Sequence, residues 1–193
     1  ITSTLSKYED VPAAVKMTLN YFKSAVAANS YGKTEVAEQM LSQVTLFKNI
    51  DISKIPEDKR TETAKDLAEL QALAESQMLN LINTKPNARN LSLYSIYLRY
   101  MGRLDEAKEF GARAVALAPN KQGIVGEYID LLIQMKDYTN AYDLAKKMYD
   151  SENTYQYSQE KFITAAAYAG HKEEAKKELE DLRKRDQDAA KRL

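Results

Sequence analysis

Apolar and polar residues alternate with a helical period over most of this chain, and from residue 88 to residue 189 the alternation repeats every 34 positions. The segments that carry it are 88–121, 122–155 and 156–189. Each segment holds two apolar stripes with three- and four-residue spacing, separated by a short turn, and therefore predicts two helices. A period long enough for two helices and two turns is typical of a helical solenoid.

The repeat depends on the same few positions in every unit. Unit positions 7, 8 and 11 of the predicted first helices hold mainly apolar residues: Tyr94, Ser95 and Leu98, then Tyr128, Ile129 and Leu132, then Phe162, Ile163 and Ala166. The predicted second helices carry Ala107, Gly111 and Ala114, then Ala141, Ala145 and Met148, then Ala175, Leu179 and Leu182. The small residues let two helices approach closely, and Gly102 and Gly170 in the turns can adopt positive φ at a helix end.

These residues resemble the tetratricopeptide repeat (TPR) family. The first unit matches the family pattern with Gly102, Leu104, Ala107, Ala114 and Pro119, and the other two units keep its phase but depart from it at several positions, such as Lys136, Met148 and Leu182. The match covers about half of the chain. It implies an all-α fold, a right-handed α-solenoid of antiparallel helix pairs, and protein–protein interaction as the usual function.

The first half of the chain is helical but less regular. Residues 1–10 are expected to be a linker, and 11–86 an irregular helical section. In that section we predict helices from about Pro12 to Ser30 and from about Lys33 to Lys48, joined near Gly32 as a degenerate TPR-like pair. A long helix follows from about Pro56 to Asn83, with an apolar stripe of Leu67, Leu70, Ala74, Met78 and Leu81. Residues 87–193 are then three TPR units, of which the last helix continues into a polar, solvated capping helix.

Composition excludes several classes of function. Lys and Arg number 28, as do Asp and Glu, so the chain lacks the basic excess of a general nucleic-acid binder. It contains no Cys, which excludes disulfides and thiolate metal sites. No apolar run approaches the 18 residues of a membrane-spanning helix, so we expect no membrane insertion by this segment.

The residue types that catalysis needs are not brought together by the sequence. The single histidine, His171, lies in a predicted turn with no second His or Cys beside it, and is expected to be solvated. The string Gly32-Lys33-Thr34 lacks the upstream glycine of a phosphate loop. We therefore expect no enzymatic activity, no cofactor and no metal in these residues.

The TPR resemblance implies a protein- or peptide-binding groove lined by the first helices. Carrying the family's groove positions over gives Arg89, Ser92, Ile96, Arg99, Tyr100, Glu127, Asp130, Gln134, Tyr157, Glu160, Thr164 and Tyr168. The alternative, that these are ordinary half-exposed helix residues, is equally compatible with the sequence. The lysines with which some TPR domains hold a terminal carboxylate are absent from these positions.

A second resemblance is strongest over residues 6–41 and extends over most of the chain. This segment is similar to the one that follows the last membrane helix in bacterial O-antigen ligase or polymerase-type membrane proteins. The parallels are Tyr21, Phe22, Tyr31, Gly32 and Glu35, together with the junction Pro119-Asn120-Lys121-Gln122. The resemblance implies an extracytoplasmic tail, on the periplasmic or cell-surface side, of a protein whose glycan chemistry lies elsewhere. The start at Ile1 without a methionine agrees with an excised or processed fragment.

Three alternatives stay open. The chain could be a free-standing TPR adaptor or lipoprotein, and the adaptor could be cytoplasmic. It could instead be a carbohydrate-binding domain that uses Tyr100, Tyr157 and Tyr168 as stacking platforms. Self-association through apolar solenoid ends is a further alternative.

Overall fold

A computed structural model describes residues 8–30, 33–151 and 156–193, and within them the regular structure is helical, with no strands. The chain divides into two compact units, Ile1–Pro86 and Asn87–Leu193. Residues 1–7 of the predicted linker, Tyr31 and Gly32 of the predicted turn, and the end of the second repeat at 152–155 lie outside the described residues.

The N-terminal unit contains three long helices. They are α1 (Val11–Ala25, followed by a π-helical turn at Val26–Ser30), α2 (Thr34–Lys48) and α3 (Glu57–Thr84), with a 3₁₀ turn at Ile52–Lys54 before α3. Pro12 lies in the first turn of α1, where its missing N–H costs no hydrogen bond. Both α1 and α2 pack against α3, which runs for 28 residues.

The buried stripe of α3 differs from the predicted one at Leu67, which is only half-buried, whereas the neighbouring Asp66 is buried. The remaining predicted members, Leu70, Ala74, Met78 and Leu81, are buried. Lys16 of α1 explains the difference, because its Nζ lies 3.3 Å from an Asp66 carboxylate oxygen and 2.9 Å from Glu62. A buried carboxylate needs such a partner, and hydrophobicity alone does not reveal one 50 residues away in sequence.

The C-terminal unit shows the 34-residue period helix by helix. Its helices are α4 (Ala88–Tyr100), α5 (Leu104–Leu117), α6 (Gln122–Gln134), α7 (Tyr138–Ser151), α8 (Gln156–Ala169), α9 (Lys172–Arg185) and a short α10 (Gln187–Ala190). First helices begin at 88, 122 and 156, and second helices at 104, 138 and 172, so both series advance by 34 residues. Each helix packs on the next, and the first helices also contact one another. The predicted all-α, TPR-like solenoid is confirmed.

The turn inside each repeat has the same left-handed backbone. The residues at unit position 15 are Gly102 (φ 80°), Lys136 (φ 61°) and Gly170 (φ 87°). In each case the following N–H donates to a carbonyl five residues earlier, as from Arg103 to Leu98 at 2.9 Å. This Schellman closure satisfies the end of the first helix and turns the chain into the second. The positive φ expected of the glycines is present, and Lys136 adopts it although it carries a side chain.

Repeats stack closely because an aromatic ring meets a residue without a side chain. A Cβ built on Gly111 of α5 would lie 2.6 Å from Cδ2 of Tyr128 on α6, so only glycine leaves room for this ring. Around this contact, the centre of the unit is an apolar cluster that includes Val125, Ile129, Ala141 and Ala145.

The C-terminal capping segment differs from the single continued helix that we predicted. Helix α9 ends at Arg185, and Asp186 is extended and accepts hydrogen bonds from the N–H groups of Asp188 (3.0 Å) and Ala189 (2.9 Å). The new short helix buries Ala189 and Ala190 against an apolar cluster that contains Ile163. The chain breaks here because a straight polar helix would leave that apolar end uncovered.

Replacing Lys136 by glycine should stabilise the protein. A left-handed conformation costs a side-chain-bearing residue roughly 1–2 kcal/mol, and the greater freedom of glycine in the unfolded chain offsets part of the gain. We expect Lys136→Gly to raise the free energy of unfolding by about 0.5–1 kcal/mol in urea titrations. Lys136→Ala is the control and should give no such gain; an equal gain would mean that loss of the lysine charge, not backbone strain, is responsible.

Gly111 and Gly123 form a matched pair of glycines for testing the stacking contact. Gly111→Ala should destabilise the protein by about 1–3 kcal/mol because the methyl group displaces the Tyr128 ring. A Cβ at Gly123, in the first turn of α6, meets nothing within 4 Å, so Gly123→Ala should be neutral or stabilising. Equal effects of the two substitutions in urea titrations would contradict the stacking described here.

Candidate functional site

The first helices α4, α6 and α8 lie side by side, and all of the predicted groove residues with charged or aromatic side chains are on them. We call the part of these helices formed by Arg99, Tyr100, Glu127, Asp130, Tyr157, Glu160 and Lys161 the first-helix surface. Interactions between neighbouring helices connect most of its members. The surface is thus one continuous set of side chains that spans three repeats.

Arg99 connects α4 to α6. Its Nη2 donates to Oε2 of Glu127 at 2.7 Å, and its Nη1 lies 3.4 Å from the Glu127 carbonyl oxygen. The guanidinium also lies 5.5 Å from the centre of the Tyr100 ring. Because only 12% of the Arg99 side chain is exposed, these three contacts hold the group in one place.

Lys161 connects α8 to α6 in the same way. Its Nζ lies 2.6 Å from each carboxylate oxygen of Asp130 and 5.3 Å from the centre of the Tyr157 ring. Asp130 and Tyr157 belong to the predicted set, but Lys161 does not. The sequence does contain a carboxylate of opposite charge, Asp130, 31 residues earlier. The ion pair could be predicted from it only if the register between repeats were known.

Tyr157 packs its hydroxyl end over Gly126 of α6, where any added Cβ would collide with it. Burial is the main cause that raises the pKa of Tyr157 to about 12, and the nearby carboxylates of Asp130 and Glu127 add to it. The hydroxyl therefore keeps its proton throughout the physiological range. About 37% of the residue remains exposed and available to a ligand.

Glu160 and Thr164 occupy the next turns of α8. Thr164 donates its hydroxyl to the Glu160 carbonyl oxygen at 2.9 Å, so its Oγ1 is engaged within the helix. The Glu160 carboxylate accepts from Gln156 at 2.8 Å and lies 3.6 Å from the guanidinium of Arg192. Glu160 therefore offers a carboxylate that one exposed cation neutralises only loosely.

The other predicted residues are placed differently. Ser92 is buried and Ile96 half-buried, whereas Arg89 and Gln134 are exposed. Tyr168 is 55% exposed, and its ring stacks on Tyr138 of α7 at a centroid distance of 5.4 Å. Of these residues, Ser92 has little surface to offer a ligand, whereas Arg89, Gln134 and Tyr168 are exposed.

His171 is exposed, as expected, but it is not isolated. Its ring stacks on Tyr142 with centroids 3.9 Å apart, and its Nδ1 lies 3.8 Å from Glu174. The hydroxyl of Tyr142 donates to the same Glu174 carboxylate at 2.6 Å, and this bond is the main cause that raises the pKa of Tyr142 to about 12. The cluster joins α7 to the turn before α9. Among the described residues, no group of three or more His, Cys, Asp or Glu could hold a metal ion.

The N-terminal unit has a cleft of its own between α1 and α2. It encloses about 480 Å³, and its walls include Met17, Tyr21, Phe22, Gln39 and Ser42. Met17 and Tyr21 are among the most exposed large apolar side chains of the described residues. The sequence did not single out this cleft, because a helical apolar stripe does not show which of its members stay uncovered.

One solved structure, described as the crystal structure of MamA protein, resembles the whole chain. It covers 99% of this chain and 96% of its own, with a TM-score of 0.56 and 14% sequence identity. At this identity the likeness concerns the fold, and it places the chain among TPR-like α-solenoids. No family model and no curated protein matches the sequence. Among the described helices, none is both long and apolar enough to cross a membrane.

Replacing Tyr157 by phenylalanine should reduce the loss of stability at alkaline pH. An unfolded tyrosine loses its proton near pH 10, whereas Tyr157 in the folded chain loses it near 12. Its contribution is therefore complete below pH 10 and disappears as the pH rises through 12. Urea midpoints measured from pH 9 to pH 12 should fall less steeply in Tyr157→Phe than in the wild type. Parallel curves would show that the hydroxyl is not shielded as described.

Proposed function

We propose that this chain is a non-catalytic scaffold that holds a segment of a partner protein on the first-helix surface. One observation carries the proposal: the charged groups at the centre of this surface are fixed by contacts between repeats. Arg99 and Lys161 are each bonded to a carboxylate on α6, and Tyr157 is fitted over Gly126. A surface ordered before binding loses less side-chain entropy when a partner arrives.

The residue types on the surface support the same function. Tyrosine and arginine are over-represented among the residues that dominate protein–protein binding energies, because they combine apolar area with directional polar groups. Tyr100 and Tyr157 each carry a cation near the ring and keep part of their area exposed. The position of Lys161 also favours a peptide ligand over a carbohydrate. A sugar stacks on an open ring face, and Lys161 lies over the face of the Tyr157 ring.

Site-specific photocrosslinking tests the proposal. A photoreactive phenylalanine analogue at Tyr100 should give one discrete protein adduct in cells, and the adduct should disappear when Tyr157→Ala is added. The same analogue at Lys147, which is exposed on the second helix α7, is the control and should not give this adduct. An adduct that forms equally from both positions, or that survives Tyr157→Ala, would contradict binding on the first-helix surface.

We further propose that the chain is the extramembrane TPR tail of an O-antigen ligase- or polymerase-like membrane protein, on the extracytoplasmic side. The support is the resemblance of residues 6–41 and of the junction Pro119–Gln122 to such proteins. In the structure, Glu35 lies in the first turn of α2, and Pro119 lies between α5 and α6. Both are positions where a family motif would shape a helix start or a turn.

The gene sequence upstream of Ile1 decides between this parent and the alternatives. The proposal predicts about ten apolar stretches of roughly 20 residues each, the length that spans a bilayer. A short leader, or none, would instead favour a free-standing TPR adaptor or lipoprotein. That outcome would leave the peptide-binding proposal intact, because binding depends only on the C-terminal unit.

A further inference from the structure

We infer that the α6–α8 half of the first-helix surface selects a basic segment, whose lysine or arginine side chains meet Glu127, Asp130 and Glu160. The inference rests on the proposed function, since it names the chemistry of the partner held at that surface. The geometry that points to it is the difference in exposure between the cation and the carboxylate of each ion pair.

In both ion pairs that join neighbouring first helices, Arg99–Glu127 and Lys161–Asp130, the cation lies deeper than the carboxylate. The side chains of Arg99 and Lys161 are 12% and 18% exposed, whereas those of their partners Glu127 and Asp130 are 37% and 35% exposed. A ligand that approaches from solvent therefore meets carboxylate oxygens first. An acidic ligand would have to break a pair to reach either cation, and a basic ligand would not.

Glu160 adds a third carboxylate on α8, and its positive neighbour is easily replaced. Arg192 lies 3.6 Å from the Glu160 carboxylate, and 63% of its side chain is exposed, so this pair is worth little in water. A lysine or arginine of a partner can take its place without leaving a buried charge unpaired. With Arg192 displaced, three carboxylates on two neighbouring helices are available to the ligand, and that of Glu160, at 25% exposed, is the least accessible of them.

The charged groups around Tyr157 also favour a positively charged ligand. The pKa of Tyr157 is raised in part by Asp130 and Glu127, and the opposing effect of Arg99 is smaller than theirs. Beside the larger effect of burial, the carboxylates of Asp130 and Glu127 therefore act on the Tyr157 hydroxyl more strongly than the guanidinium of Arg99 does.

The surface also shows how it can hold a cation. Arg99 and Lys161 already lie 5.5 and 5.3 Å from the ring centres of Tyr100 and Tyr157, within the distance at which a ring face attracts positive charge. The more exposed ring of Tyr168, on the last turn of the same helix α8, can serve an incoming side chain in the same way.

The positive charges on α4 confine the preference for basic side chains to α6 and α8. Arg89 is exposed at the start of α4, and Arg99 lies near its end, so this helix brings no carboxylate to the surface. We therefore expect the basic side chains of the partner segment to lie along α6 and α8, and the part of the segment near Tyr100 of α4 to carry no positive charge.

Blocked octapeptides test the inference on the intact chain. One alternates arginine with glycine, one glutamine with glycine and one glutamate with glycine. We expect the arginine peptide to bind at least about ten-fold more tightly than the glutamine peptide in about 20 mM salt, to weaken at about 150 mM, and to shift the NMR ring signals of Tyr157 and Tyr168. Preferential binding of the glutamate peptide, with the same ring shifts, would overturn the inference and leave the proposed function standing.

A pair of double variants separates this site from general attraction. Glu127→Gln with Glu160→Gln should remove the preference for arginine, while Asp130 keeps its pair with Lys161. The control, Glu109→Gln with Asp143→Asn, makes the same change in net charge at exposed residues of α5 and α7. An equal loss in the control would overturn the inference. If no peptide shifts the tyrosine signals and the Tyr100 crosslink also fails, the proposed function itself is wrong.

Discussion

The stacking of one repeat on the next depends on aromatic rings that meet glycines on the neighbouring helix. The Tyr128 ring of α6 occupies the space that Gly111 leaves on α5, and the Tyr157 hydroxyl occupies the space that Gly126 leaves on α6. Such contacts permit one spacing and one register between helices, because a shift of either helix drives a ring into backbone or side chain. The 34-residue period in the sequence thereby becomes a repeat in space.

The first-helix surface follows from that register. Arg99 reaches Glu127 over 28 residues of sequence, and Lys161 reaches Asp130 over 31, so neither pair could form in an isolated repeat. Because both pairs form within the chain and bury their cations, they order the surface before a ligand arrives. What a ligand meets is the exposed carboxylate side of each pair together with tyrosine rings, and this arrangement defines the partner that we infer.

Much of the fold could be predicted from the sequence because it is local and repeated. The helices begin close to where the apolar periodicity placed them, and Gly102 and Gly170 take the positive φ that their turn positions indicated. Residues that respond to distant partners were harder to predict. Asp66 is buried because Lys16 reaches it, Lys161 gains its role from Asp130, and the helix breaks at Asp186 because the apolar end around Ile163 needs a cover. Each of these features depends on which residues of neighbouring helices lie side by side, and the helix propensity of single residues does not encode that.

The most direct test of this account is a double-mutant cycle on Gly126 and Tyr157, with the free energy of unfolding measured for all four proteins. The account predicts that Gly126→Ala destabilises the wild type, by about 1 kcal/mol or more, because the methyl group displaces the tyrosine. In the Tyr157→Ala background the same substitution should cost nothing or stabilise α6, since alanine is the better helix former. An equal cost in both backgrounds would show that the Tyr157 ring does not contact Gly126 as described. It would then contradict the claim that contacts between aromatic rings and glycines fix the register of the helices, on which the binding surface depends.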